Sequence, residues 1–228
     1  MSNTNNKDLI DELASSQAGV FTSKQAEAFG IPRYALSYAA KAGHIERICH
    51  GAYHLGSSLD PGYDELAGLW MLTRPGAFAH DRMRSYDGVV VCGTTAAAMH
   101  GIGDFFLSPY HIAVPRRFNS RGGLARYPVM TVPAEDVTWL HGLPVTTVER
   151  TLGDLVAANE DISLVANALV DAIDAFGATS FSIDRLESML GEKAFGRLLD
   201  AVDIGAEGQF ELIRTDSVGH VALRRKGR

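Results

Sequence analysis

Apolar residues recur at helical spacing over the first part of the chain. Their positions over residues 7–17 predict a first helix. The segment Thr22-Ser-Lys-Gln25 matches a capping box, in which the threonine and glutamine side chains bind unpaired backbone N–H groups, and it predicts the start of a second, short helix. A third helix is predicted over 32–42, because proline fits the first turn of a helix. Apolar residues over 45–55 then predict two short strands joined by a tight turn.

Three helices followed by a hairpin are typical of a winged helix-turn-helix, which places one helix in the major groove of DNA. In the third predicted helix, Leu36, Ala39 and Ala40 share one stripe, so we expect them to face the core. Arginine can bind the edge of guanine, while tyrosine, serine and lysine can bind phosphate or base edges. We therefore predict that the opposite face contacts DNA through Arg33, Tyr34, Ser37, Tyr38 and Lys41.

Three further side chains are predicted to complete this DNA interface. Lys24 belongs to the second helix, and Arg47 and His50 belong to the hairpin, from which they would reach the DNA backbone. The same elements are also consistent with a module for protein contacts, whose exposed face is merely solvated. Residues 1–58 hold five Lys/Arg and five Asp/Glu, so phosphate neutralisation by one copy would be modest. Such a copy needs a second copy on a palindrome, or basic side chains from elsewhere in the chain.

Beyond a turn-rich junction at residues 56–62, strands and helices alternate. The pattern predicts helices over 63–73 and 94–100 and strands over 89–92, 111–115 and 129–132. A second capping box, Thr146 to Glu149, predicts a helix through residue 158, and the pattern stays mostly helical to residue 189. We therefore predict an α+β fold in two domains. They are a winged helix-turn-helix over 1–58 and a larger mixed α/β domain with a helical C-terminal section over 59–228.

The net charge of −6 argues against binding to nucleic acid, but the charges are distributed unevenly along the chain. Residues 151–213 hold twelve acids against three basic residues, so the acidity is concentrated late in the chain. A stretch without acids carries a second basic patch, made of Arg116, Arg117, Arg121 and Arg126. Phe118 and Tyr127 interleave with it, and aromatic rings among arginines can stack on bases or brace a loop. The patch would extend the DNA contact or only balance the acidic helices.

The other chemically reactive residue types favour binding over catalysis. The predicted hairpin holds His44, Cys49, His50 and His54, but structural zinc sites use paired ligands, and a hairpin would spread these side chains over both faces. The C-terminal acids lack the lysine-containing cluster of a metal-dependent nuclease. Cys92 lies in a valine run, where a buried thiol is unreactive. We therefore predict no metal, no cofactor and no enzymatic activity.

Three features predict a cytoplasmic protein without membrane contact. The first residues lack the basic segment and apolar run of a secretory signal. The longest uncharged stretch, residues 88–103, is shorter than the roughly 20 residues that a transmembrane helix needs. The two cysteines, Cys49 and Cys92, cannot build a disulfide framework, which fits a reducing compartment.

Four blocks stand in a fixed order along residues 7–158. The first runs from FTSKQAEAFG (21–30) to GHIERICHGAY (43–53), and the later ones are VCGTTAAAMHGI (91–102), HIAVPR (111–116) and GLPVTTVERTLGDL (142–155). In this order they resemble the winged-helix head, the central helix, a strand and the final conserved block of AbiEi-type antitoxins. Four blocks in one order are more specific than any one of them alone.

The resemblance implies a role in a type IV toxin–antitoxin operon. A protein of that family is expected to bind inverted repeats in its own promoter and to repress transcription. Its second domain is expected to counter a nucleotidyltransferase toxin without stable toxin binding. The alternative that the residues leave open is a non-enzymatic protein-interaction module, in which the head or the acidic C-terminal section binds a protein partner.

Overall fold

The computed structural model describes residues 3–55, 62–120, 122–177, 180–205, 210–214 and 221–225. Its helices are α1 (Asn3–Ser15), α2 (Ser23–Ala28), α3 (Arg33–Lys41), α4 (Asp64–Leu72), α5 (Ala79–Arg84), α6 (Gly93–His100), α7 (Val148–Ala157), α8 (Ile162–Phe176), α9 (Ile183–Leu190) and α10 (Glu192–Gly205), with a short 3₁₀ turn at Ala134–Asp136. Its strands are β1 (Val20–Thr22), β2 (Ile45–Cys49), β3 (Ala52–Leu55), β4 (Val90–Val91), β5 (Tyr110–Ala113), β6 (Ala125–Arg126), β7 (Val137–Leu140), β8 (Leu143–Thr146), β9 (Phe210–Arg214) and β10 (Val221–Arg225).

Residues 3–55, called the head from here on, form a winged helix-turn-helix. Helices α1, α2 and α3 enclose a core that includes Leu13, Phe21, Leu36 and Ile45, each of which is almost fully buried. Strands β1, β3 and β2 form an antiparallel sheet in that order, and the β2–β3 hairpin is the wing. The predicted α+β fold with a winged helix-turn-helix at its start is confirmed. The sequence pattern did not predict β1, which pairs with β3.

The predicted capping box at the start of α2 is present and also docks the head onto the next part of the chain. Thr22 Oγ1 accepts from the Gln25 backbone N–H at 3.2 Å, and the Thr22 N–H donates to Gln25 Oε1 at 2.7 Å. Gln25 Nε2 then donates to the Ala77 carbonyl at 2.7 Å and to Gln17 Oε1 at 2.9 Å. The Ala79 N–H donates to the same Gln17 oxygen at 3.1 Å. These bonds attach the head to the loop between α4 and α5.

Helix α4 packs directly onto the wing sheet. Its Gly68 lies so close that a Cβ there would stand 2.7 Å from Ile48 Cδ1 and 3.1 Å from Ala52 Cβ. On its other side, Trp70 belongs to the core of the following sheet. The guanidinium of Arg82, which is 3% exposed, lies 3.7 Å from the Trp70 ring centroid and donates to the Trp70 carbonyl at 2.8 Å. Helix α4 therefore connects the head to the rest of the molecule.

Residues 62–205, called the body, contain a five-stranded sheet in the order β6-β5-β4-β8-β7. Strand β4 pairs antiparallel with β5 and parallel with β8, and β7 and β8 form an antiparallel hairpin. Helices α6 to α10 pack around a second apolar core that includes Leu152, Leu169, Phe181 and Leu186. The predicted mixed α/β region with a helical C-terminal section is confirmed. The proposed domain boundary at residue 58 falls in 56–61, outside the described residues, and stays a prediction.

Two local predictions in the body are wrong. No strand covers 129–132, because Val129 forms only an isolated bridge with Val114. The N-cap of α7 is Thr147, whose side chain accepts from the Arg150 N–H, and not Thr146 as the capping-box pattern predicted. Glu149 does not return to the helix start, because its carboxylate accepts from the Ser182 N–H at 2.8 Å. The Glu149 side chain, which a capping box would use at the start of the helix, makes a tertiary contact instead.

The close approach of α4 to the wing can be tested by adding one methyl group. Gly68→Ala should lower the free energy of unfolding by about 1–2 kcal/mol, because the methyl group would overlap Ile48 and crowd Ala52. Gly153→Ala in α7 is the matched control, since nothing lies within 4 Å of its added Cβ. There, the helix propensity of alanine should raise stability by up to about 1 kcal/mol. Urea denaturation measures both, and equal stabilisation by the two variants would contradict the packing of α4.

His100, in the last turn of α6, links that helix to strand β8. Its Nε2 donates to the Thr146 carbonyl at 2.7 Å. Burial lowers the pKa of His100 below its usual range, although the bond to Thr146 and the charge of Glu149 act in the opposite direction. The neutral imidazole is therefore the form that the folded state favours.

This lowered pKa predicts a loss of stability in mild acid. A histidine in the unfolded chain titrates near 6.5, so below about pH 6.5 protons bind the unfolded state in preference. The free energy of unfolding should fall by at most about 1.4 kcal/mol per pH unit from this group, until the pH passes the folded-state pKa. Urea denaturation between pH 7.5 and 5.5 should show a smaller fall for His100→Gln than for the wild type. The exposed His80 is the control position, and an unchanged fall in His100→Gln would refute this account.

Candidate nucleic-acid interface

Helix α3 has one buried and one exposed face, as its sequence pattern predicted. Ala35, Leu36 and Ala39 are buried in the head core, and Ala40 is half-buried. The five predicted contact residues are all exposed: Arg33, Tyr34, Ser37, Tyr38 and Lys41. The exposed fractions of Tyr34 and Tyr38 are 69% and 61%, which is high for large aromatic side chains. The helix therefore presents two rings and two cations to solvent on one face.

The cations of this face are available to a partner. Within the described part of the chain, neither Arg33 nor Lys41 has a salt-bridge partner. Ser37 Oγ donates to the Arg33 carbonyl at 3.4 Å, a long bond that leaves the hydroxyl oxygen free to accept. Lys24 in α2 is also exposed, with its Nζ 3.9 Å from a carboxylate oxygen of Glu27. At this separation and exposure the Lys24–Glu27 pair contributes little, so Lys24 can exchange it for another anion.

The two predicted wing residues lie together at the turn between β2 and β3. Arg47 Nη2 and His50 Nδ1 are 2.7 Å apart, and both residues are exposed. Arg47 Nε also donates to the Cys49 carbonyl at 3.4 Å. Because the guanidinium donates to the imidazole nitrogen, the pair forms one positively charged group at the tip of the wing.

The second basic patch lies on the segment that follows β5. Arg116, Arg117 and Arg126 are exposed, whereas Arg121 lies outside the described residues. The rings of Phe118 and Tyr127 meet edge to face with their centroids 4.8 Å apart, and both pack against the apolar core of the body. These half-buried aromatic rings therefore brace the loop, and both also line the cleft between the loop and the wing tip.

The wing tip and the arginine-bearing loop are neighbours in space. One cleft of about 620 Å³ is lined by Cys49 and His50 from the wing and by Phe118, Asn119 and Ser120 from the loop. About 70 residues of sequence separate the two segments, and no local pattern links them. Packing of the head onto α4 brings the wing tip and this loop to the two sides of one cleft, which sequence reasoning did not predict.

Two of the histidines in this region, His44 and His54, are held by acids. His44 Nε2 lies 2.6 Å from Asp11 in α1. His54 lies between two carboxylates, 2.8 Å from Asp64 in α4 and 3.2 Å from Glu46 in β2. Among the described residues, no three His, Cys, Asp or Glu side chains are grouped closely enough to hold a metal ion. These histidines instead connect the wing to the helices on either side.

An ion network around the buried Asp136 in the body was not predicted from sequence. Arg150 Nη1 donates to Asp136 at 3.0 Å and its Nε donates to Asp154 at 2.8 Å, while Arg185 binds the other oxygen of Asp136. Burial disfavours the charge on Arg150, but the two carboxylates outweigh it and raise its pKa. Burial raises the pKa of the nearby Cys92 thiol to about 12. Arg150 is therefore a structural residue in this fold, and Cys92 stays protonated at neutral pH.

Comparisons with known proteins agree with this architecture. A family model described as "Transcriptional regulator, AbiEi antitoxin" matches residues 8–56, and one described as "AbiEi antitoxin C-terminal domain" matches residues 89–198. A crystal structure of the RV2827C protein from Mycobacterium tuberculosis superposes with a TM-score of 0.51. The alignment has 20% identity and covers 88% of this chain and 78% of the other, so it supports the fold alone.

No curated protein matches the sequence. Within the described residues, every helix is too short or too polar to cross a membrane. The two family models lie in order along the chain and together cover most of it. The chain belongs to the AbiEi antitoxin family.

Proposed function

We propose that this protein is the DNA-binding autorepressor and antitoxin of a type IV toxin–antitoxin operon. The observation that carries the proposal is the exposed face of α3, where Arg33 and Lys41 are exposed, lack salt-bridge partners among the described residues, and flank two exposed tyrosines. Membership of a family described as transcriptional regulators supports the same conclusion. Its DNA target is an inverted repeat upstream of its own gene.

In this proposal, α3 enters the major groove. Arg33 lies at the first turn of the helix, where recognition helices place their base contacts, and its guanidinium can donate to both O6 and N7 of a guanine. Tyr34, Ser37 and Tyr38 supply hydroxyl groups for phosphates or base edges, and Lys41 binds phosphate at the other end of the helix. Lys24 in α2 and the Arg47–His50 pair in the wing bind the flanking backbone.

The second basic patch extends the same DNA contact. The loop that bears Arg116 and Arg117 borders the cleft that it shares with the wing tip. In this proposal, a duplex lying along α3 and the wing continues onto this loop, whose arginines supply positive charge that the head alone lacks. Phosphate contacts of this kind raise affinity for every DNA sequence without reading bases.

The antitoxin activity belongs to the body and needs no catalytic step. The second family model, an AbiEi antitoxin C-terminal domain, covers its sheet and helices. The protein counters a nucleotidyltransferase toxin functionally, without a stable complex. The alternative role is a protein-interaction module that binds its partner through the head or through the acidic C-terminal section. Salt-dependent binding to promoter DNA separates the two roles, since counterion release marks phosphate contacts.

The reading of bases by α3 can be tested by removing its two cations. Arg33→Ala should weaken binding to the operator by about 1–3 kcal/mol, and it should relax specificity at one guanine position. Lys41→Ala should weaken binding to all sequences and reduce the slope of log K against log salt by about 1. Gel shifts on the upstream region at two salt concentrations, with random DNA as competitor, measure both effects.

The matched control for charge is Lys193→Ala/Arg197→Ala, which removes two exposed cations from α10. This control should bind the operator like the wild type. If the control and the Arg33→Ala/Lys41→Ala variant weaken binding equally, α3 is not the recognition helix. If wild-type protein gives no shift even at low salt, the interaction-module alternative replaces the repressor.

The role of the second patch is tested separately. Arg116→Ala/Arg117→Ala should weaken binding to operator and random DNA by the same factor and lower the salt slope by about 2, because phosphate contacts carry no sequence information. Unchanged DNA binding together with lost protection of cells that express the toxin would instead assign these arginines to the antitoxin activity. Gel shifts and growth of toxin-expressing cells measure the two outcomes.

A further inference from the structure

A second cleft, of about 490 Å³, opens where the head meets the body. It lies away from the exposed face of α3 and is bounded by the end of α1, by α4 and α5, and by the turn between β7 and β8. Its lining includes Gln17, Tyr63, Trp70, Met71, Met83 and His141. Volumes of this size, at the junction of two structural units, are typical of small-molecule sites.

The walls of this junction cleft are mostly apolar and aromatic. Trp70 and Met71 are buried in α4, and the rings of Tyr63 and His141 stack with their centroids 4.3 Å apart. Met83 in α5 is 46% exposed, which leaves a flexible apolar side chain beside the cleft. Such a surface favours a flat apolar ligand, which can stack on rings and contact the adaptable methionine.

One polar group of the lining has an unmet hydrogen bond. Gln17 is 4% exposed, and its Oε1 accepts from Gln25 Nε2 and from the Ala79 N–H. These two donors fix the orientation of the amide, so the other terminal atom is the nitrogen. Among the described residues, Gln17 Nε2 is buried without an acceptor. A buried donor without a partner is unfavourable, and because Gln17 lines the cleft, an acceptor that reaches Nε2 from the cleft would satisfy it.

The charges of the lining favour a neutral ligand over an anionic one. Asp64 contributes a buried carboxylate, which is shared with His54 at 2.8 Å. Among the described residues, no lysine or arginine lines the cleft. A carboxylate or phosphate would therefore enter without a permanently charged cation to compensate it, whereas a neutral carbonyl oxygen needs only the N–H of Gln17.

We propose that the junction cleft binds a small, uncharged, aromatic molecule that carries one carbonyl acceptor for Gln17 Nε2. Its walls come from the head, through Gln17 and Val20, and from the body, through His141 and Leu143. A bound molecule therefore contacts both units at once. A regulatory consequence rests on the proposed DNA binding: a ligand that prefers one arrangement of head and body changes operator affinity, and DNA changes ligand affinity by the same factor.

Coumarin, a neutral bicyclic aromatic lactone, is the probe for this site, and chromane, which has no carbonyl group, is its matched control. The full chain labelled with ¹³C at its methionine methyl groups reports binding directly. Coumarin should shift the signals of Met71 and Met83 saturably and leave Met189, exposed on α9, unchanged. Equal shifts at Met189, or no shift at millimolar coumarin, would overturn the proposal.

Two variants test the geometry. Gln17→Glu keeps an oxygen for the Gln25 and Ala79 donors but removes the Nε2 donor, so coumarin affinity should fall at least tenfold while chromane affinity stays unchanged. Ala67→Phe, in the wall formed by α4, should abolish binding of both probes. Ala175→Phe at an exposed position of α8 is its control. Unchanged coumarin affinity in Gln17→Glu would show that the amide does not hold the carbonyl group, and would overturn the proposal.

The proposed ligand binding and the proposed DNA binding can be refuted independently of each other. The Arg33→Ala/Lys41→Ala variant should bind coumarin with the affinity of the wild type, because neither residue lines the junction cleft. Normal coumarin binding by a protein that shifts no DNA would refute the repressor function and leave the site intact. A normal operator shift with no methionine response would refute the ligand site and leave the repressor function intact.

Discussion

Helix α4 is buried on two sides, and the relation between head and body depends on this arrangement. Gly68 lets α4 approach the wing sheet so closely that an added Cβ would stand 2.7 Å from Ile48 Cδ1 and 3.1 Å from Ala52 Cβ. On the opposite side, Trp70 packs in the body core, and the buried guanidinium of Arg82 lies over its ring. The Thr22–Gln25 capping box adds hydrogen bonds to the loop after α4. Because apolar packing and polar bonds act at the same junction, the wing tip is fixed beside the arginine loop.

The elements that the sequence predicted well are those specified by neighbouring residues. The capping box fixes the start of α2, and the 3.6-residue spacing of Leu36 and Ala39 separates the two faces of α3. The four sequence blocks that resemble AbiEi-type antitoxins then predicted the order of the two parts of the chain. The two family models confirm this family assignment. The exposed face of α3 followed from the same spacing, so the main part of the candidate site was predictable.

The features that the sequence did not reveal depend on contacts between distant segments. Strand β1 has three residues and exists through its pairing with β3. Glu149 does not form the predicted capping box, because its carboxylate accepts from the Ser182 N–H instead. Arg150 joins Asp136 and Asp154, and Arg185 joins the same Asp136 from 49 positions away. Periodicity carries no information about such pairs, and so the cleft shared by the wing tip and the arginine-bearing loop emerged only with the tertiary structure.

The claim that α3 reads the major groove is tested most directly by methylation interference on the upstream DNA. Dimethyl sulfate modifies guanine N7, which lies in that groove and is the atom that arginine contacts. The account predicts that methylated guanines at symmetric positions of an inverted repeat are depleted from the bound fraction, and that the depletion at one position per half-site is lost with Arg33→Ala. Bound DNA with no depletion at any guanine N7, and interference only from phosphate ethylation, would contradict it.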